Sequence, residues 1–151
     1  MKFTEARSQL SRLYSRISEG GVEVIERNQE CDVVIANASE YRQLLERQAP
    51  FRIEVRLGAR SVAAWIKGLP VHAEGETVEA AIDELAVALV DYASAWEKHL
   101  QHAPNHRENI GYVRRTQIAG STAAVRQMLA LDAAKEAEEY NGNSAPAPVL
   151  A

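Results

Sequence analysis

Phe51-Arg52-Ile53-Glu54-Val55-Arg56-Leu57 is the stretch that decides the fold class. Apolar and charged residues alternate from end to end, the period of a strand with one buried and one wet face. Gly58 is a turn, and Val62 to Ile66 reads as an apolar partner strand. Gly68, Leu69 and Pro70 break the pattern. From Thr77, a helix-capping residue type, the period changes to 3.6. Val78, Ile82, Leu85, Leu89, Ala93, Trp96 and Leu100 then share one face of a long helix. At 1.5 Å per residue that helix is ~34 Å long and is the main packing element. Residues 51–103 are thus expected to form a small β-β-α module, and the chain an α+β protein.

Upstream, Pro50 marks a module boundary. Residues 1–50 read as β-α-β-β-α. Thr4 can cap a helix whose first turn carries Glu5, with Ala6, Leu10, Leu13, Tyr14 and Ile17 on one side. Gly20 and Gly21 stop it. Val22 to Arg27 and Asp32 to Ala36 flank a polar turn at Asn28, Gln29 and Glu30, which predicts a hairpin. Asn37 followed by Glu40 is a capping box for a second helix, with Tyr41, Leu44 and Leu45 facing the small core.

Downstream, residues 104–140 form a C-terminal segment of helical character. Tyr112, Val113 and Ile118 suit a short strand or irregular contact segment, and Val125, Met128, Leu129 and Leu131 lie in a helix after Gly120 and Ser121. Residues 141–151, NGNSAPAPVLA, have the composition of a disordered tail.

The 151 residues suffice for one ordinary domain or two very small ones. At 46% apolar and 25% charged, the composition is that of a folded globular chain. The net charge of −4 disfavours a general electrostatic nucleic-acid binder but permits a local basic surface. Cys31 is the only cysteine, which excludes an internal disulfide and fits a reducing compartment. The start MKFTEARSQL is charged at once, unlike a signal peptide, and no apolar run approaches the ~20 residues of a membrane span. The expectation is a cytoplasmic protein without a membrane partner.

Catalysis finds no support in the sequence. It contains no glycine-rich phosphate loop and no nucleophile elbow. His99, His102 and His106 cluster superficially like metal ligands, but Pro104 interrupts the spacing and no ligand pattern accompanies them. A solvated helix terminus with imidazoles near its negative end explains them. No enzyme activity, metal or cofactor is expected. Lys2, Arg7, Arg12, Arg16 and Arg27 form either a phosphate-binding rim or the ordinary solvation of a helix, and charge alone does not choose between these.

The stretch TEARSQLSRLYSRISEGGVEVIERNQECDVVIANASEYRQLLE resembles the prevent-host-death (Phd/YefM) antitoxins, in the PHD-like subgroup of RelB/RelE-system antitoxins. The matching pieces are Thr4-Glu5-Ala6-Arg7, Leu10, Gly20-Gly21, Val24-Ile25-Glu26-Arg27, Val33-Val34-Ile35 and Ser39-Glu40-Tyr41 with Leu44. Gln29 and Cys31 stand where the family's turn usually has glycine and proline. The resemblance implies dimerisation and operator binding through residues 1–50, with Arg7 and Arg27 as the DNA-contacting arginines and Lys2, Arg12 and Arg16 assisting. It also implies a C-terminal region that blocks a toxin, often an mRNA-cleaving enzyme of the RelE type. In residues 51–103, Gly68-Leu69-Pro70 and Gly75-Glu76-Thr77-Val78-Glu79-Ala80-Ala81 resemble HicB-like antitoxin domains.

The function expected is therefore a type II antitoxin and autorepressor. Its partners would be a cognate toxin, operator DNA and one or more further copies of itself. Toxin contact is expected at residues 104–140, through Tyr112, Val125, Met128, Leu129, Glu136 and Glu139. An acidic, partly ordered segment there would cover the basic surface with which an RNA-cleaving enzyme holds phosphates. The alternative is a non-catalytic protein-binding adaptor with the same fold and no DNA binding.

Overall fold

The computed structural model describes residues 1–26 and 32–143, and the side chains among them except those of Phe3 and residues 136–143. The chain divides into two compact units, Met1–Arg47 and Gln48–Ala151. Both mix helix and strand, so the fold is α+β.

In the first unit the N-terminal helical stretch is two helices, α1 (Phe3–Ser8) and α2 (Leu10–Ser18), broken at Gln9 with φ −114° and ψ 22°. Lys2 rather than Thr4 is the N-cap, and it makes no side-chain capping bond. The expected first strand is only a parallel bridge from Lys2 to Glu26, whose N–H donates to the Met1 carbonyl at 2.9 Å. Gly20 follows α2 with φ +94°, a left-handed conformation that glycine adopts without steric cost. Strands β1 (Val22–Ile25) and β2 (Val33–Ala36) pair antiparallel, as the hairpin reading expects, with Val24 opposite Val34. The Asn37 side chain accepts from the Ser39 N–H at 2.8 Å and opens α3 (Ala38–Gln48). The core is small: Ala6, Leu13, Ile17 and Ile25, with Met1 and Ile35 against it.

The second unit carries three strands before its long helix, one more than the sequence pattern suggests. β3 (Ile53–Leu57), β4 (Val62–Ile66) and β5 (His72–Gly75) form an antiparallel sheet in that order. The third strand escaped detection because His72-Ala73-Glu74-Gly75 has almost no apolar character. Gly75 lets it approach the helix closely, since a side chain there would collide with Ala80 and Ala81. Thr77 caps α4 (Val78–Lys98) by accepting from the Ala80 N–H at 3.1 Å. Ala81, Leu85, Ala86 and Leu89 of α4 are fully buried on the sheet with Phe51, Val62, Ala64 and Ile66.

The region after Pro104 is helical as expected, but Tyr112, Val113 and Ile118, expected in a short strand or irregular segment, also lie in a helix. A 3-10 turn (Leu100–His102) leads to α5 (Pro104–Arg107), α6 (Ile110–Ala119) and α7 (Thr122–Asn143). The expected tail begins inside α7, because residues 141–143 are helical, and residues 144–151 lie outside the described residues. Val125 and Leu129 of α7 enter the same core as the sheet and α4. Alternating patterns on β3 and 3.6 patterns on α4 and α7 thus converge on one hydrophobic centre.

Candidate functional site

The first unit presents its cations on two short helices. Arg7 lies in the last turn of α1 and Arg12 on α2, both exposed. The break at Gln9 sets them on separate helix axes. Arg16, also exposed, bonds the Glu23 carboxylate of β1, and that carboxylate lies 3.9 Å from the N-terminal ammonium. Two cations therefore converge on Glu23, which ties α2 and the chain start to the hairpin. Lys2 is exposed at the head of α1, beside Glu26. Arg27 lies outside the described residues. Arg7, Arg12 and Lys2 thus face solvent, whereas Arg16 is held by Glu23.

The unit also leaves in water apolar side chains that periodicity assigns to its core. Leu10 is 64% and Tyr14 76% exposed on α2. Tyr41 and Leu44 are exposed on α3, which buries only Leu45. Val22, Val24 and Val34 are exposed as well, and the register places them on one face of the hairpin. Ile25 and Ile35 take the opposite, core-facing side. So small a core cannot receive all the apolar positions of its helices, and the surplus is on the surface.

In the second unit the expected toxin contacts cluster, but inward. Val125 and Leu129 are buried at 1% and 0% exposure. Met128 and Tyr112 are half-buried against the same core, Tyr112 with its ring 5.9 Å from that of Phe51. Glu136 and Glu139 fall in the part of α7 whose side chains are not described. The outer face of α4 carries exposed Glu79, Asp83, Glu84, Asp91 and Glu97, of which Asp83 pairs with Arg126.

Two buried polar arrangements were not read from the sequence. Arg115 donates to the Ala49 carbonyl at 3.1 Å and to both oxygens of Asp132, while Asp132 accepts from the Phe51 N–H at 2.7 Å. Arg115 also stacks 4.6 Å above the Phe51 ring. His106 serves packing: the Tyr92 hydroxyl and His106 Nδ1 are 3.0 Å apart, and Trp96 Nε1 donates to the His106 carbonyl at 2.8 Å. His99 and His102 are exposed. Among the described residues no group of three or more His, Cys, Asp or Glu is placed to hold a metal ion. No helix among them is long and apolar enough to cross a membrane.

Comparison with known proteins fits this picture. No curated protein matches the chain. A crystal structure from Syntrophomonas wolfei subsp. wolfei, described as an antitoxin part, is similar in fold with a TM-score of 0.69. The likeness covers 85% of this chain and 94% of that one at 18% identity, so it speaks for the fold alone. The family described as "PHD_like: Antitoxin of toxin-antitoxin, RelE / RelB, TA system" matches residues 1–131. That match takes in the described part of the first unit and the core of the second. The chain accordingly belongs to this PHD-like family of non-catalytic antitoxins and has the general role of an antitoxin in a toxin–antitoxin system.

Proposed function

We propose that this antitoxin neutralises an RNA-cleaving toxin of the RelE type by direct binding and represses its own operon as a homodimer on operator DNA. The observation that carries the DNA arm is the presence of exposed Arg7 and Arg12 together with uncovered apolar side chains on the same small unit. Covering Val22, Val24, Val34, Leu10 and Tyr14 with a second copy would double the cationic set about a two-fold axis. A palindromic operator has the same symmetry. Arg7, Lys2 and Arg12 act as phosphate or base contacts in this reading, a role it also gives to Arg27. Arg16, held by Glu23, contributes less.

The toxin arm is assigned to the second unit, on the solvent faces of its helices. Val125 and Leu129 act there as supports, since each is buried in the core. The acidic outer face of α4, together with Glu136 and Glu139 of α7, complements a basic RNA-binding surface and speeds encounter with it.

Gel-shift titration on the chain's own promoter fragment tests the repressor arm. Wild type is expected to bind, and Arg7→Ala/Arg12→Ala to lose affinity while remaining folded and self-associated. Equal binding by both proteins would remove these arginines from the reading. Failure of wild type to bind promoter DNA would leave the adaptor without DNA binding, which the Arg16–Glu23 pairing favours.

A further inference from the structure

β3 has the alternation of a half-buried strand, yet the described residues do not supply the cover. Phe51 is buried and Ile53 half-buried, but Val55 is 41% and Leu57 75% exposed on the core-facing side. β3 is also an edge of the three-stranded sheet. The Lys67 N–H donates to the Arg52 carbonyl and the Gly58 N–H to the Ser61 carbonyl. With the antiparallel alternation, Arg52, Glu54 and Arg56 therefore bond to β4. The backbone groups of Ile53, Val55 and Leu57 point away from the sheet. An apolar edge of this kind is a template for another strand.

We infer that β3 pairs antiparallel with β3 of a second copy about a two-fold axis at Val55, joining two sheets edge to edge. The sequence of the strand is self-complementary in that register. Ile53 falls opposite the partner's Leu57, and Val55 opposite the partner's Val55, so each exposed apolar side chain gains apolar cover. Glu54 falls opposite the partner's Arg56 on the other face, where opposite charges directly across a strand pair attract. Arg56 stands 5.9 Å from the Trp65 ring and has no carboxylate within bridging distance among the described residues, so it is available for that contact. All three residues whose backbone groups point outward fall opposite one another, and each such pair exchanges both N–H···O=C bonds.

The end of the edge is consistent with this length. Phe51 is the next residue whose N–H points outward, and the Asp132 carboxylate already accepts it at 2.7 Å. In the Val55-centred register Phe51 would face the partner's Ala59, beyond the Gly58 turn, where the partner strand has ended. The intramolecular cap therefore sits where the intermolecular pairing stops. A shift by one residue would set Val55 against Glu54 or Arg56 and lose both matches.

The test uses the full chain with Cys31→Ser as background. Val55→Cys puts two thiols across the axis at a Cα separation of about 5.5 Å, inside the range a disulfide spans. Leu57→Cys puts its two copies roughly 14 Å apart along the antiparallel pair, beyond that range. The expected result under mild oxidation is a covalent dimer for Val55→Cys and none for Leu57→Cys. In parallel, Glu54→Arg and Arg56→Glu are each expected to lower the assembled mass by sedimentation velocity, and the double reversal to restore it. No cross-link at Val55, an equal cross-link at Leu57, or charge reversals without effect would overturn the pairing. Absence of the cross-link together with toxin binding lost in Val55→Lys would give the edge to a toxin strand instead. The readout is local to residue 55, so it stands or falls separately from DNA binding and from self-association of the first unit.

Discussion

Arg115 and Asp132 form a two-point ion pair at 2.5 and 3.0 Å, with each side chain only 5% exposed. Asp132 also holds the Phe51 N–H and Arg115 the Ala49 carbonyl, so α6 and α7 are fastened to the chain just before β3. Removing one partner leaves a buried charge without its counter-ion, a loss of about 3–5 kcal/mol. Asp132→Ala is expected to lower stability by that order in urea unfolding. Arg115→Met/Asp132→Leu is expected to regain only part of it, because the apolar pair has no desolvation penalty but leaves the Phe51 N–H and the Ala49 carbonyl without their partners.

Leu129 sits at 0% exposure in the core shared by the sheet, α4 and α7. Leu129→Ala is expected to cost about 2–5 kcal/mol. Its effect on toxin neutralisation should vanish once the measurement is made under conditions where the variant is fully folded. A loss of toxin affinity in folded protein would return this residue to the contact surface.

A chain ending at Leu100 lacks Val113, Val125, Leu129 and the Arg115–Asp132 pair, all of them buried in the full protein. It would expose Phe51, whose ring faces Tyr112 and Arg115. The truncated chain is expected to give a broad, weakly cooperative thermal transition by circular dichroism. A sharp transition like that of the full chain would show that the last helices are dispensable for folding.

These outcomes also locate what the sequence could and could not disclose. The antiparallel hairpin, the Thr77 cap and the α4 face were legible because period and capping chemistry are local properties. β5 was not, since His72, Glu74 and Gly75 give a strand no apolar signal, and pairing with β4 alone defines it. The polarity of Tyr112-Val113-Arg114-Arg115 hid α6, whose buried Arg115 is intelligible only once Asp132, far along the chain, lies beside it. For the candidate site, the exposed Arg7 and Arg12 were legible as charge. Arg16 was read with them because its partner Glu23 comes from the following strand. Leu10 and Tyr14 matched a core-facing stripe, but periodicity does not say whether the cover comes from the same chain.

Val24 and Val34 lie opposite each other on the solvent side of the hairpin. Val24→Glu/Val34→Glu places like charges across the strand pair and on the proposed contact face of the first unit. The double variant is expected to sediment at lower mass than wild type while keeping its far-UV circular dichroism. Unchanged mass would place first-unit self-association elsewhere.

Operator binding that uses Arg7 depends on salt in a defined way. Each lost phosphate contact reduces the slope of log affinity against log salt by about 0.9. In a homodimer Arg7→Ala removes two such contacts, so the slope is expected to flatten by roughly 2. Arg16→Ala is expected to leave it nearly unchanged, because Glu23 already neutralises that side chain. Fluorescence anisotropy with promoter DNA across a salt series reads both.

Neutralisation of the product of the adjacent gene tests the antitoxin account most directly. The purified product is incubated with a defined mRNA while the full chain is titrated in, and cleavage is followed on a gel. The account predicts that cleavage falls to background near an equimolar ratio and that the two proteins elute as one complex. Undiminished cleavage at a large excess of the chain, with the two proteins eluting apart, would contradict it.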